Sequence, residues 1–288
     1  MPCNPRRAAI CVLAPLALLV IGTPARNGCT GGALARDAGL DPVTVEPKPS
    51  DEVLQNPGKG WVLYFDPRAH TAASLAAGAV GYVRVDWALV EPEEGAFDWT
   101  ALESIVDAFA RLGKPCALGV MTANQHSARQ YVTPRWVFDA GAPSIAVEGL
   151  NVPELVVPES FEDEVFLARL GAFAAAFGAR YDGDPRIAWV DIRSYGNWGE
   201  GHIWPWEDEG VRPISGEGLR KHVQLHLDAF PRTRLVLPWG KERYRDVYDW
   251  AGDHGVGLRR EGVLGNSDGR ETALVLGRAP GVFESVSY

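Results

Sequence analysis

The carboxyl groups, guanidiniums and indoles of this chain fall into a few tight groupings. Glu200 stands between two glycines in Tyr195-Gly196-Asn197-Trp198-Gly199-Glu200-Gly201-His202, directly after a run that alternates between apolar and polar residues. A carboxyl fixed at the end of such a run can give or take a proton in general acid–base chemistry. Within Ile187–Tyr195, Trp189, Asp191, Arg193 and Tyr195 alternate with Ala188, Val190, Ile192 and Ser194. Earlier, Tyr82, Arg84 and Asp86 alternate with Val83 and Val85. Charges on a buried strand face must be paired, so Arg84, Asp86, Asp191 and Arg193 are expected to form one interior network. Trp87, Trp136, Trp198, Trp204, Trp206 and Trp239 lie in or just after predicted strand ends. Indole faces stack well on the apolar faces of pyranose rings. Trp198, Trp204 and Trp206 are the strongest members of that set. His202, two residues after Glu200, is placed to line the same cleft.

Other chemistries are missing their residues. His222 and His226 sit four apart on a predicted helix, a spacing that can hold a metal. No HExxH accompanies them, so they read as a solvated helix face. There is no GxSxG elbow, no CxxC pair and no Gly-rich phosphate loop. The acid tract Glu159–Glu164 reads as the start of a helix and does not match a calcium loop. No metal site is expected, and no cofactor is required.

The elements that must position these groups alternate. Strands are predicted at Trp61–Phe65, Val80–Asp86, Pro115–Met121, Ile187–Tyr195, Arg234–Pro238, weakly at Val256–Arg260, and at Gly281–Val286. Helices are predicted at Trp99–Leu112 (capped by Asp98 and stopped at Gly113), Phe166–Tyr181, Gly218–Phe230, Glu242–His254 and Glu271–Gly277. Residues 122–160, with several prolines, read as a long irregular stretch that carries His126. Strands alternating with helices imply a parallel sheet with right-handed crossovers. Seven such units predict an α/β fold of the (β/α)8 TIM-barrel type, ending after strand seven. A doubly wound open sheet is the alternative.

The beginning of the chain reads differently. Arg6 and Arg7 precede an apolar run over Ala8–Gly22, and Ala33-Leu34-Ala35 fits a small-x-small cleavage pattern. Residues 1–35 are therefore expected to be an export signal, leaving no stable membrane span after cleavage, and the protein is expected to be secreted or periplasmic. Lipid anchoring through Cys29 is the less favoured alternative, because Arg26 stands where an apolar residue would be wanted. Residues 36–55 read as a linker and 56–288 as the barrel domain. Of Cys3, Cys11, Cys29 and Cys116, cleavage would leave Cys116 alone, inside an apolar run and expected to be buried. With 28 Lys+Arg against 37 Asp+Glu and a net charge of −9, the chain lacks the basic stripe of a nucleic-acid binder.

Three segments carry a resemblance. Residues 82–99, Tyr-Val-Arg-Val-Asp-Trp-Ala-Leu-Val-Glu-Pro-Glu-Glu-Gly-Ala-Phe-Asp-Trp, resemble the R…W…EP-x-x-G-x-(Y/F)-D pattern of retaining glycoside hydrolases of the large (β/α)8 clan that includes β-galactosidases, xylanases and cellulases. Thr133-Pro134-Arg135-Trp136 is similar to the P-x-W loop after strand three in that clan. The block from Tyr195 to His202, with Asn56-Pro57 and Gly60-Trp61, resembles an uncharacterised secreted barrel family with a YGxWGExH block. The resemblance implies an acid/base glutamate at the end of strand four, where Glu200 stands, and a nucleophile at the end of strand seven, where Glu284 stands. Glu242 and Glu261 are the alternative nucleophiles. Many clan members have Asn directly before the acid/base; here Gly199 takes that place and Asn197 lies three residues back. Two carboxyls about 5–5.5 Å apart would give hydrolysis with retention. Aromatic shielding by Trp198 would keep Glu200 protonated, and Arg84 beside Glu284 would keep the nucleophile ionised. The expected substrate is a β-linked sugar or polysaccharide. The alternative is a carbohydrate-binding barrel without catalysis.

Overall fold

The structure is a computed structural model that describes residues 60–263 and 281–285; the side chains of 261–263, 284 and 285 lie outside the described set. The expected signal, the linker, residues 56–59 before the first strand and the short helix at 271–277 also fall outside it.

Nine strands are present among the described residues: β1 Trp61–Tyr64, β2 Gly78–Asp86, β3 Cys116–Met121, β4 Ser144–Val147, β5 Leu155–Pro158, β6 Ile187–Asp191, β7 Leu235–Pro238, β8 Gly257–Val263 and β9 Gly281–Ser285. Seven of them form one sheet in the order β1-β2-β3-β6-β7-β8-β9, and every pairing in it is parallel. Each new strand is added on the same side of the last. A doubly wound sheet reverses direction at a switch point, so this order excludes it. It is the order of a barrel sheet, with all strand carboxyl ends on one rim.

The principal helices are α3 Thr100–Ala110, α5 Glu164–Tyr181, α6 Gly216–Ala229 and α7 Arg245–Asp253; shorter ones are α1 Ala72–Ala77, α2 Trp87–Val90 and α4 Arg135–Asp139. Their starts follow from local hydrogen bonding. The Asp163 carboxylate accepts from Phe166 N at 3.0 Å at the head of α5, and Ser215 Oγ accepts from Gly218 N at 2.9 Å at the head of α6. The apolar stripe of α3 (Leu102, Val106, Phe109) and that of α5 (Phe166, Leu170, Phe173, Phe177, Tyr181) are buried in one continuous core with Val83, Leu118, Val190 and Leu237 of the sheet. Burying these stripes is the main driving force holding the helices on the sheet. Cys116 is wholly buried, as expected, and burial pushes its thiol up to about 12.

Several expectations are corrected. The stretch 122–160 contains α4 and an antiparallel hairpin of β4 with β5. Its strands are only four residues long and its prolines masked them. Strand β6 stops at Asp191, not Tyr195, because the chain turns at Gly196 (φ 82°). The helix expected at 242–254 splits into a 3-10 turn and α7. Strand β8 runs past Arg260, where the predicted strand ended, so Glu261 lies in the sheet, and its register partner is Glu284 on β9. His222 and His226 face the core, not solvent.

Candidate active site

The carboxyl ends of β2, β3, β6 and β8 bring together a buried polar cluster. Asp191 and Arg193 are almost wholly enclosed, and Arg193 Nε donates to Asp191 Oδ2 at 3.0 Å. The Tyr82 hydroxyl, from β2, donates to the same oxygen at 2.8 Å. Burial pushes that hydroxyl well above its ordinary range, so it stays protonated and acts as a donor. Arg259, from β8, brings Nη1 to 3.6 Å of the same oxygen and donates through Nη2 to the Tyr64 hydroxyl of β1. The network predicted from alternation therefore forms around Asp191. Sequence reasoning placed Arg84 and Arg193 in it and missed Arg259, Tyr64 and the role of Tyr82. Arg259 lies in the strand with the weakest pattern, where Arg259-Arg260 masks the alternation. Asp86, expected in the network, instead accepts from Asn124 Nδ2 at 2.8 Å and Ser127 Oγ at 2.6 Å, which ties the loop after β3 to the end of β2.

Glu200 meets this cluster from above. Arg84 Nη1 donates to Glu200 Oε1 at 2.9 Å, and Arg193 Nη1 reaches the same oxygen at 3.4 Å. The acid is close to buried, at 9% exposure, and His202 Nε2 stands 3.7 Å from its other oxygen. Two guanidiniums and an imidazole are thus among its neighbours. Arg84 is bound to Glu200, and its expected place beside the Glu284 carboxyl falls outside the described residues. The side chains of Glu284 and Glu261 lie outside the described residues.

The loop that carries Glu200 is tightly wound. Gly196, Trp198, Gly199 and Gly201 all take positive φ. At Gly199 (φ 66°) a Cβ would come within 2.4 Å of the Arg193 carbonyl oxygen, so no other residue fits without moving the backbone. Trp198 (φ 54°) is held there without that freedom. Its indole N–H donates to His126 Nδ1 at 2.8 Å, its ring stacks on that imidazole, and Trp204 lies 6.2 Å away. Trp204 is 56% exposed and offers open aromatic surface on the rim.

The remaining candidates are placed differently. Trp87 and Trp206 have no exposed surface, so neither can present a face to a ligand. Trp87 donates to the Glu91 carboxylate and packs against Phe166 and Phe173. Tyr195 is a core residue between Phe161 and Tyr244. It turns to the helix side because the strand has already ended. Trp136 is half-buried, with its N–H on the Glu91 carbonyl. Trp239 stacks on Tyr248 in the core. Asn197 is fully enclosed; its side-chain oxygen accepts from Gln125 N and its nitrogen donates to the Trp204 carbonyl. It laces two loops together and is not a free amide in the cleft. No group of three or more metal-ligating side chains occurs among the described residues, and no helix there is long and apolar enough to cross a membrane.

Residues 66–193 match the model of glycoside hydrolase family 42, described as beta-galactosidase. No curated protein matches the chain. It is similar in structure to a family 10 glycoside hydrolase from Paenibacillus barcinonensis (13% identity, TM-score 0.44, covering 75% of this chain and 65% of that one). It is similar to a beta-galactosidase from the psychrophilic Marinomonas ef1 (11%, TM-score 0.45, 69% and 40%). It is also similar to xylanase 10B from Thermotoga maritima (12%, TM-score 0.48, 79% and 69%). The chain spans less than two thirds of the length of the first two.

Proposed function

We propose that this chain is an exported glycoside hydrolase that cleaves a β-linked sugar or polysaccharide with retention. The reading rests on one observation above the others. Glu200, nearly buried, is held by Arg84 at the carboxyl rim of a parallel barrel sheet, within a chain whose residues 66–193 match a glycoside hydrolase family. In this reading Glu200 protonates the leaving oxygen and later draws a proton from water, while Glu284 attacks the anomeric carbon. Arg84 orients Glu200, and Trp198 and Trp204 offer aromatic surface to the sugar. The test is a panel of aryl β-glycosides and β-linked oligosaccharides with the wild-type chain, Glu200→Gln and Glu284→Gln. Turnover with retained anomeric configuration, reduced about 10²- to 10⁴-fold in Glu200→Gln, is expected. Full activity in both variants would overturn the assignment.

A second reading is favoured by the engagement of Glu200 Oε1 with two guanidiniums, Arg84 and Arg193. It is a carbohydrate-binding barrel that does not turn its ligand over. Oligosaccharide binding with no hydrolysis of any panel member would select it.

A further inference from the structure

We propose that Arg193 is the positioning residue of this site, coupling the Glu200 carboxyl to the backbone of Trp198 so that acid and aromatic wall are set together. The inference deepens the glycosidase reading and takes its catalytic readout from it. One guanidinium nitrogen makes both contacts: Nη1 donates to the Trp198 carbonyl at 3.1 Å and reaches Glu200 Oε1 at 3.4 Å. The other end of the group is anchored, since Nε donates to the enclosed Asp191 carboxylate. Asp191 is itself fixed by Tyr82 and Arg259, from β2 and β8. A rigid path therefore runs from three strands to the acid.

Packing needs alone do not account for Arg193. It has no exposed surface, and a guanidinium taken wholly out of water is a costly way to fill space. Its Nη2 has no hydrogen-bond partner among the described residues. Room for its stem exists because β3 carries Gly119, where a Cβ would stand 3.0 Å from Arg193 Cγ. Trp198 holds a left-handed backbone that a tryptophan seldom adopts, and the carbonyl of that same residue accepts from Arg193. Lysine could pair with Asp191, but its single nitrogen cannot also span Trp198 and Glu200.

The test uses the full chain with 5-fluorotryptophan incorporated, the Trp198 resonance being assigned by its loss in Trp198→Phe. Arg193→Met and Arg193→Lys are compared with wild type by ¹⁹F spectrum, by thermal unfolding and by kcat and KM on the best substrate. The expected result is a moved or broadened Trp198 resonance in both variants, with kcat down about 10²-fold and KM changed little. Glu200→Gln should move the same resonance, because it alters the third member of the contact. If Arg193→Met does not fold, Arg193→Lys carries the test, since it keeps the charge beside Asp191. A folded Arg193→Lys protein with the wild-type Trp198 resonance and wild-type kcat overturns the proposal. A wild-type chain that hydrolyses nothing, yet shows the Trp198 shift in both Arg193 and Glu200 variants, refutes the glycosidase reading and leaves the coupling standing.

Discussion

His222 makes the fold sensitive to mild acid. The imidazole is fully buried on α6, between Ser194 and the carbonyl of Phe161. A carbonyl can only accept, so Nε2 carries the proton and donates at 2.6 Å, and Nδ1 accepts from Ser194 Oγ at 2.8 Å. Burial lowers its pKa from 6.5 to about 4, and burial lowers that of His226, one turn on, in the same direction. Between these values the unfolded chain takes up a proton that the folded chain refuses. Stability is therefore full above about pH 6.5 and falls as the pH drops toward 4. At about 1.4 kcal/mol per pH unit, crossing the whole window costs about 3 kcal/mol from His222 alone. Urea unfolding at about pH 7 and about pH 5 should differ by about 2 kcal/mol through this residue. His222→Gln keeps an amide that can reach the Phe161 carbonyl and removes the titration, so its stability should change less across that interval by this amount. Glu91, whose carboxyl burial raises, acts in the opposite sense in both proteins and cancels in the comparison. Asp182 and Asp184, held below the usual carboxylate range, titrate under the window. Parallel loss of stability in wild type and His222→Gln would refute the reasoning.

Other outcomes follow from the same geometry. Phe109→Ala, at a wholly buried position of α3, should lower unfolding stability by about 3–5 kcal/mol in urea titrations. Gly199→Ala forces a Cβ against the Arg193 backbone at positive φ and should cost about 1–2 kcal/mol or more, together with any activity; an unchanged melting curve and unchanged turnover would count against the loop's constraint. Trp204→Ala should leave stability within about 0.5 kcal/mol, because the residue is exposed, while weakening oligosaccharide binding in calorimetry. Cys116 should resist alkylation in the folded protein at mildly alkaline pH and react once unfolded, as peptide mapping of the labelled chain would show.

Much of this was legible from local pattern. The alternation of strands and helices, the stops of β2 and β3, the α3 and α5 stripes and the burial of Cys116 all come from period and capping, which are short-range properties of the chain. So does the presence of charges on one face of the second and fourth parallel strands, since a strand's side-chain period is two. The polar partners are a different matter. Tyr82, Asp191 and Arg259 are far apart in sequence and meet only because β2, β6 and β8 are placed in one sheet. The glycines on either side of Glu200 were legible in the sequence, but the left-handed turn they form and its coupling to Arg193 are tertiary facts. The indoles show the limit most directly. Trp87, Trp206 and Trp204 are alike as letters beside strand ends, yet two are sealed in the core and one faces solvent. Whether an aromatic ring is core or rim depends on what packs over it, and that is decided by distant segments. Sequence determined that a parallel barrel sheet with polar strand faces would form; only the tertiary structure decided that both guanidiniums would close on Glu200.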